Sequence, residues 1–352
     1  MPKKTTSITS LSELMTPAAL RLLSANGLEL VRQIGMDVVR GVVLDVMTGK
    51  NLRDSTEVLT RRRIAALNLA TVNLFLQGAA HSNDFVARLP HLATDILQRP
   101  RLTKSEKWLA QWVLGLTDKG MQNVLRDDAE SLAQYRDRYI ETCREVIENH
   151  QQATGELSGA LKLTSGVQAE MNWLLLTYLL NTIGAQTLAI RGSEKSAYGK
   201  LFEKLILGSL LHILGFEYVT PPPTKTNRVF WLSSREERRE SDATLLYETG
   251  KGVRFDIGFI GRGNPEISLD KVTRFEREIS LGRSRWYLAT IILVDRIGAN
   301  SRIEQLAQIA KGTIIQMSAG YWPQQVAQEL HRALNFKHKL LTLKPTEIEP
   351  FL

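Results

Sequence analysis

Asp242 opens one apolar run, Ala243 to Tyr247, and Asp256 lies inside the next, Val253 to Ile260. Aspartate is disfavoured in strands, so one on each of two adjoining strand-like runs asks for a reason. Two carboxylates brought together repel unless a cation lies between them. A divalent metal is the simplest such cation, and carboxylate oxygens suit magnesium. The chemistry this points to is phosphodiester hydrolysis.

The elements that must position the pair follow from the flanking residues. Glu248-Thr249-Gly250-Lys251-Gly252 reads as a turn, long for a tight hairpin but suited to antiparallel pairing. Alternation puts Val253, Phe255 and Ile257 on one face of the second strand, with Arg254, Asp256 and Gly258 on the other. On the first strand Asp242, Thr244 and Leu246 share a face. Before them a helix from Ser196 to Leu214 ends at Gly215, a C-cap signal. Its Glu203 shares a stripe with Ile206, Leu207, Leu210 and Leu214, where an unpaired carboxylate is costly. Glu203 is either a third metal ligand or an edge residue paired with Lys200. After the strands, Asn264-Pro265 signals a helix start, and Lys271 sits two turns on. Lys271 could reach back to orient water and stabilise a phosphate, or stand in solvent. The aspartates have a structural alternative too, as strand-end caps or partners of the cluster Arg235-Glu236-Glu237-Arg238-Arg239.

The chain as a whole is compatible with such an enzyme. Its 352 residues are 43% hydrophobic and 23% charged, the balance of a folded globular protein. The net charge of +8 favours polyanionic partners. One cysteine, Cys143, precludes an internal disulfide, and the scattered histidines offer no zinc spacing. No signal peptide opens the sequence, and the most apolar stretch, Leu174 to Ile190, is interrupted by Asn181 and Gln186. A soluble cytoplasmic protein with no membrane partner is the expectation. Helical periodicity covers about Ser10 to Leu188, and strand-like runs begin after Pro221-Pro222-Pro223. The pattern changes near Arg191-Gly192-Ser193, so two domains are expected: 1–190, helical, for DNA binding or dimerisation, and 191–352, catalytic.

The order of these residues resembles the PD-(D/E)xK nuclease fold of type II restriction endonucleases. Phe202-Glu203 on a helix ending in Leu214-Gly215-Phe216 comes first, then Ser241-Asp242 opening a strand, Asp256 on the next, a helix and another apolar strand. The likeness covers about Ser193 to Ser318, and the chain as a whole is similar to CfrBI-type restriction endonucleases. That resemblance implies an α/β (α+β) fold, a mixed sheet flanked by helices with a large all-helical N-terminal region. It implies a magnesium-dependent type II site-specific deoxyribonuclease acting on double-stranded DNA, with Asp242 and Asp256 as metal ligands. It further implies a homodimer, a cognate DNA methyltransferase in the host and a palindromic site of the form CCWWGG. The pattern departs at Gly258, where the lysine two positions after the second acid should stand; Lys271 is the candidate replacement. Arg61-Arg62-Arg63, Arg235, Arg238, Arg239, Arg283 and Arg285 are candidate DNA contacts. Two other readings stay open: a nuclease of the same fold acting on structured or damaged DNA, and a non-catalytic DNA-binding protein.

Overall fold

Helical periodicity in the first half produces α1 (Pro17–Ser24), α2 (Met36–Met47), α3 (Leu52–His81), α4 (Phe85–Leu97), α5 (Lys104–Val113), α6 (Asp118–Val124) and α7 (Ala129–Thr154). Residues 8–25, 29, 32, 35–124, 129–220, 225–233, 241–258, 287–295 and 312–352 are described by a computed structural model; of 24, 129, 193–198 and 287 it describes the backbone only. Sequence-encoded caps fix several helix starts. Thr16 accepts from the Ala19 N–H at 3.2 Å ahead of Pro17, and Thr103 and Glu106 form a reciprocal capping box at α5.

A β-hairpin that periodicity did not reveal follows α7: β1 (Gly159–Lys162) pairs antiparallel with β2 (Gln168–Met171). Its strands are four residues each and mostly exposed, too short and polar for a strand pattern to stand out. Asn172 then accepts from the Leu175 N–H at 2.9 Å and starts α8 (Trp173–Ile213). The sequence suggested a break at Arg191-Gly192-Ser193, but α8 runs through it without interruption. One glycine costs a helix only about 1 kcal/mol, and the flanking residues are good helix formers. The helix stops where expected. Gly215 takes φ +83°, its N–H donates to the His212 carbonyl at 2.8 Å, and the Phe216 N–H donates to Leu211 at 3.1 Å. Those two bonds form a Schellman closure.

The chain divides into two compact units, Met1–Gln33 with Leu59–Lys195, and Ile34–Val58 with Ser196–Leu352. In the first, Trp112, Phe75, Leu67 and Leu89 centre a helical core. The apolar stretch of α8, Trp173–Gly192, is long and apolar enough to cross a membrane, and 39% of it is buried. Leu175, Tyr178 and Ile190 are buried there, and the fully buried Gln186 donates to Asn68 at 2.7 Å and accepts from Thr71 at 2.7 Å. Arg63 is also internal, 6% exposed, with Nη2 donating to the Leu22 carbonyl at 3.0 Å at the end of α1. This removes Arg63 from the basic surface, whereas Arg61 and Arg62 are exposed. Arg63→Ala is expected to destabilise the protein by about 2 kcal/mol in urea unfolding, against about 0.5 kcal/mol or less for Arg62→Ala.

The second unit holds a six-stranded mixed sheet. Its strands are β3 (Glu217–Tyr218), β4 (Val229–Leu232), β5 (Ala243–Glu248), β6 (Lys251–Gly258), β7 (Tyr287–Val294) and β8 (Gly312–Gln316), in spatial order β3-β4-β5-β6-β7-β8. β4, β5 and β6 are antiparallel neighbours, while β6–β7, β7–β8 and β3–β4 are parallel. The β5–β6 turn is tighter than the sequence suggested. Glu248 pairs with Lys251, Gly250 takes φ +80°, and a bulge between Leu246 and Glu248 absorbs the extra residue. Phe255, Ile257, Leu245 and Leu293, fully buried, fill the apolar face. Helix α9 (Trp322–Leu334) packs on β7 and β8, with Thr313 donating to Glu329 at 3.1 Å. Among the described residues of 34–58, Val46 and Asn51 bond to the rest of this unit. Trp322 Nε1 donates to the Val46 carbonyl at 2.7 Å, and Asn51 Nδ2 donates to Asp295 Oδ2 at 2.6 Å.

Candidate active site

The register settles which residues share the face opposite the apolar one. Ala243 lies opposite Phe255 and Thr244 opposite Arg254, so continuing the ladder sets Asp242 opposite Asp256. The hydrogen bonds hold it there. The Asp242 N–H donates to the Phe255 carbonyl at 3.0 Å, and Asp242 Oδ2 accepts from the Ile257 N–H at 3.0 Å. Asp242 therefore grips β6 on both sides of Asp256. Its own carbonyl accepts from the Ser233 N–H at 3.1 Å, which extends the β4 ladder to the same position. Ser233 also bonds the Ser241 carbonyl through Oγ, and Ser241 Oγ meets Thr244 Oγ1 at 3.1 Å. Three neighbouring strands thus fix one carboxylate relative to the other.

Burial sharpens the pairing. Asp256 is 5% exposed, in the middle of a strand whose other residues from Gly252 to Gly258 are all buried; Asp242 is half-buried. A carboxylate in that position is expensive unless a cation compensates it. Magnesium is bound through one or two carboxylates and keeps several waters, so an oxygen pair of this kind fits it. Among the described residues no group of three or more His, Cys, Asp or Glu side chains converges on one point.

The other expected site residues fare differently. Glu203 lies on α8, half-buried at the margin of a stripe in which Ile206, Leu207 and Leu210 are fully buried. A β-carbon placed on Gly208 of the same helix would lie 3.7 Å from Leu232 Cδ1, which sets this stretch of α8 beside β4. His212, also on this helix, is exposed. Lys271 lies outside the described residues, as do Arg235, Arg238, Arg239, Arg283 and Arg285 and the helix expected to start at Asn264-Pro265. Two polar residues of the site's surroundings were not among the expected site residues. Arg254 is 3% exposed on the same face as Asp256, and Asp295, 6% exposed, follows β7 with its N–H on the Gly258 carbonyl at 3.2 Å. Period-two alternation already placed Arg254 on that face; Asp295 carried no comparable signal.

A family model described as CfrBI restriction endonuclease matches residues 36–302. The type II restriction enzyme CfrBI of Citrobacter freundii is 39% identical over 309 residues, 87% of this chain and 84% of that protein. No solved structure matches.

Proposed function

The chain belongs to the CfrBI restriction endonuclease family and is a type II site-specific deoxyribonuclease, and from that premise we propose that Asp242 and Asp256 are its catalytic metal ligands. The observation that carries this reading is the grip of Asp242 on β6 either side of Asp256. The catalytic core is of the PD-(D/E)xK type, spans residues 191–352 and takes in residues 34–58 as well. The helical remainder of 1–190 serves recognition or dimerisation. When bound, magnesium lowers the pKa of a water molecule and polarises the scissile phosphate.

The chain's own groups do the rest. Asp242 and Asp256 hold hard oxygen ligands at a fixed spacing, because the ladder that carries them is closed on both sides. Glu203 contributes a further oxygen, directly or through water. Lys271 supplies the positive charge that Gly258 lacks, stabilising the phosphate as negative charge develops. Arg61 and Arg62 contribute to DNA affinity through phosphate contacts, a salt-dependent and sequence-independent share. The substrate is double-stranded DNA at a short palindrome, of the form CCWWGG by kinship. A symmetric site calls for a homodimer with one active site per strand and a cognate methyltransferase protecting host DNA. The enzyme works in the cytoplasm.

The test is to incubate the protein with plasmid and phage DNA, with and without magnesium, and to sequence the product ends. Discrete fragments sharing one end sequence, formed only with the metal, are expected. Cuts at flaps or random positions would instead favour a nuclease of structured DNA, and DNA left intact at every metal concentration would exclude cleavage altogether.

A further inference from the structure

Among the described residues of the sheet, one cation is buried. Glu217 pairs with Lys225 at 2.7 Å and Glu248 with Lys251 at 3.2 Å, all at exposed positions. β4, β7 and β8 contain no charged residue. In the interior of the described strands the only charged side chains are Arg254 and Asp256, with Asp242 entering at the start of β5. Arg254 and Asp256 are two apart on β6, on one face and about 6–7 Å apart along the strand. Thr244 lies opposite Arg254 on one side and Thr290 on the other, so both flanking strands present short hydroxyl side chains there. Asp242 lies diagonally across, two residues before Thr244.

A guanidinium cannot shed its proton, so burying one requires anionic or strongly polar compensation. A pair of carboxylates has the reverse requirement. Resting on the acid-pair reading above, we propose that Arg254 is a positioning residue: it supplies the positive charge that keeps Asp242 and Asp256 together in the metal-free enzyme. The cation missing from this face at Gly258, two residues after Asp256, is present two residues before it. Arg254 touches neither substrate nor scissile phosphate in this scheme. It acts through the aspartates, and a bound metal takes over part of its task.

Thermal unfolding of the full-length protein in EDTA and in magnesium chloride tests this, with R254M, R254K, D256N and the R254M/D256N double variant. R254M is expected to lower the metal-free apparent Tm by about 6 °C or more, because the pair loses its counter-charge. Magnesium should restore at least half of that loss, whereas R254K should keep most of the metal-free Tm. The double variant should lose less than the two single losses combined. Equal losses of R254M in both buffers, additive with D256N, would overturn the proposal. Should R254M not fold in either buffer, R254K decides alone: a metal-free loss of about 6 °C or more despite the retained charge, undiminished by magnesium, overturns the idea. The acid-pair reading has its own signature: magnesium raises the wild-type Tm and D256N abolishes the rise. If that signature is missing, the metal assignment has failed, and the cycle between R254M and D256N in EDTA still decides the role of Arg254.

Discussion

Asp256→Asn is expected to slow DNA cleavage by about 10³-fold or more while DNA binding changes by about threefold or less. Asparagine keeps the shape of a side chain that is 5% exposed, so the strand should stay packed while one metal-binding oxygen is lost. Asp242→Asn should behave similarly, with an added defect, since its Oδ2 also accepts from the Ile257 N–H. Because the two carboxylates act as a unit, the double variant should be little worse than either single one. Single-turnover cleavage of a supercoiled plasmid, alongside a binding isotherm in calcium, measures both quantities. Full cleavage by Asp256→Asn would remove this residue from the site even with the enzyme class intact.

Trp322→Ala is expected to destabilise the second unit by about 3–5 kcal/mol, and Trp322→Phe by about 1–3 kcal/mol. Trp322 is fully buried, so truncation to alanine leaves a large cavity. Phenylalanine fills most of it but removes Nε1, whose buried 2.7 Å bond to the Val46 carbonyl links α2 to α9. The buried carbonyl is then left without that donor. Urea unfolding followed by circular dichroism gives the ranking. If Trp322→Phe matched wild type, the bond would contribute nothing to stability, and packing alone would hold α2.

Much of the candidate site was legible because it is built from local signals. Period-two alternation in Val253 to Gly258 gave the face on which Asp256 stands, and the register reproduces it. Gly215 ended its helix by the predicted geometry. The run that forms β5 was read to within one residue, and the start of β6 to within two, since these apolar runs are dense in branched and aromatic side chains. Features that depend on distant partners were not legible. β3 and β8 are short edge strands whose identity is set by their neighbours. Arg63 looked like part of a basic surface cluster, and only the end of α1 beside it shows why it is internal. Nothing in residues 34–58 announces that they belong with a sheet formed from residue 217 onward.

That last attachment sets the order in which the protein can assemble during synthesis. α2 buries Val39, Val42, Val43 and Val46, yet Trp322, which bonds to it, is made long afterwards. At about 5–20 residues per second, the ribosome leaves this valine stripe without its partner for roughly ten seconds to a minute. The first unit can close around Leu59–Lys195 meanwhile, with an apolar strap hanging from it. A nascent chain in that condition is a natural client for a chaperone, and slowed translation lengthens its exposure. Function in this enzyme therefore waits on the synthesis of α9.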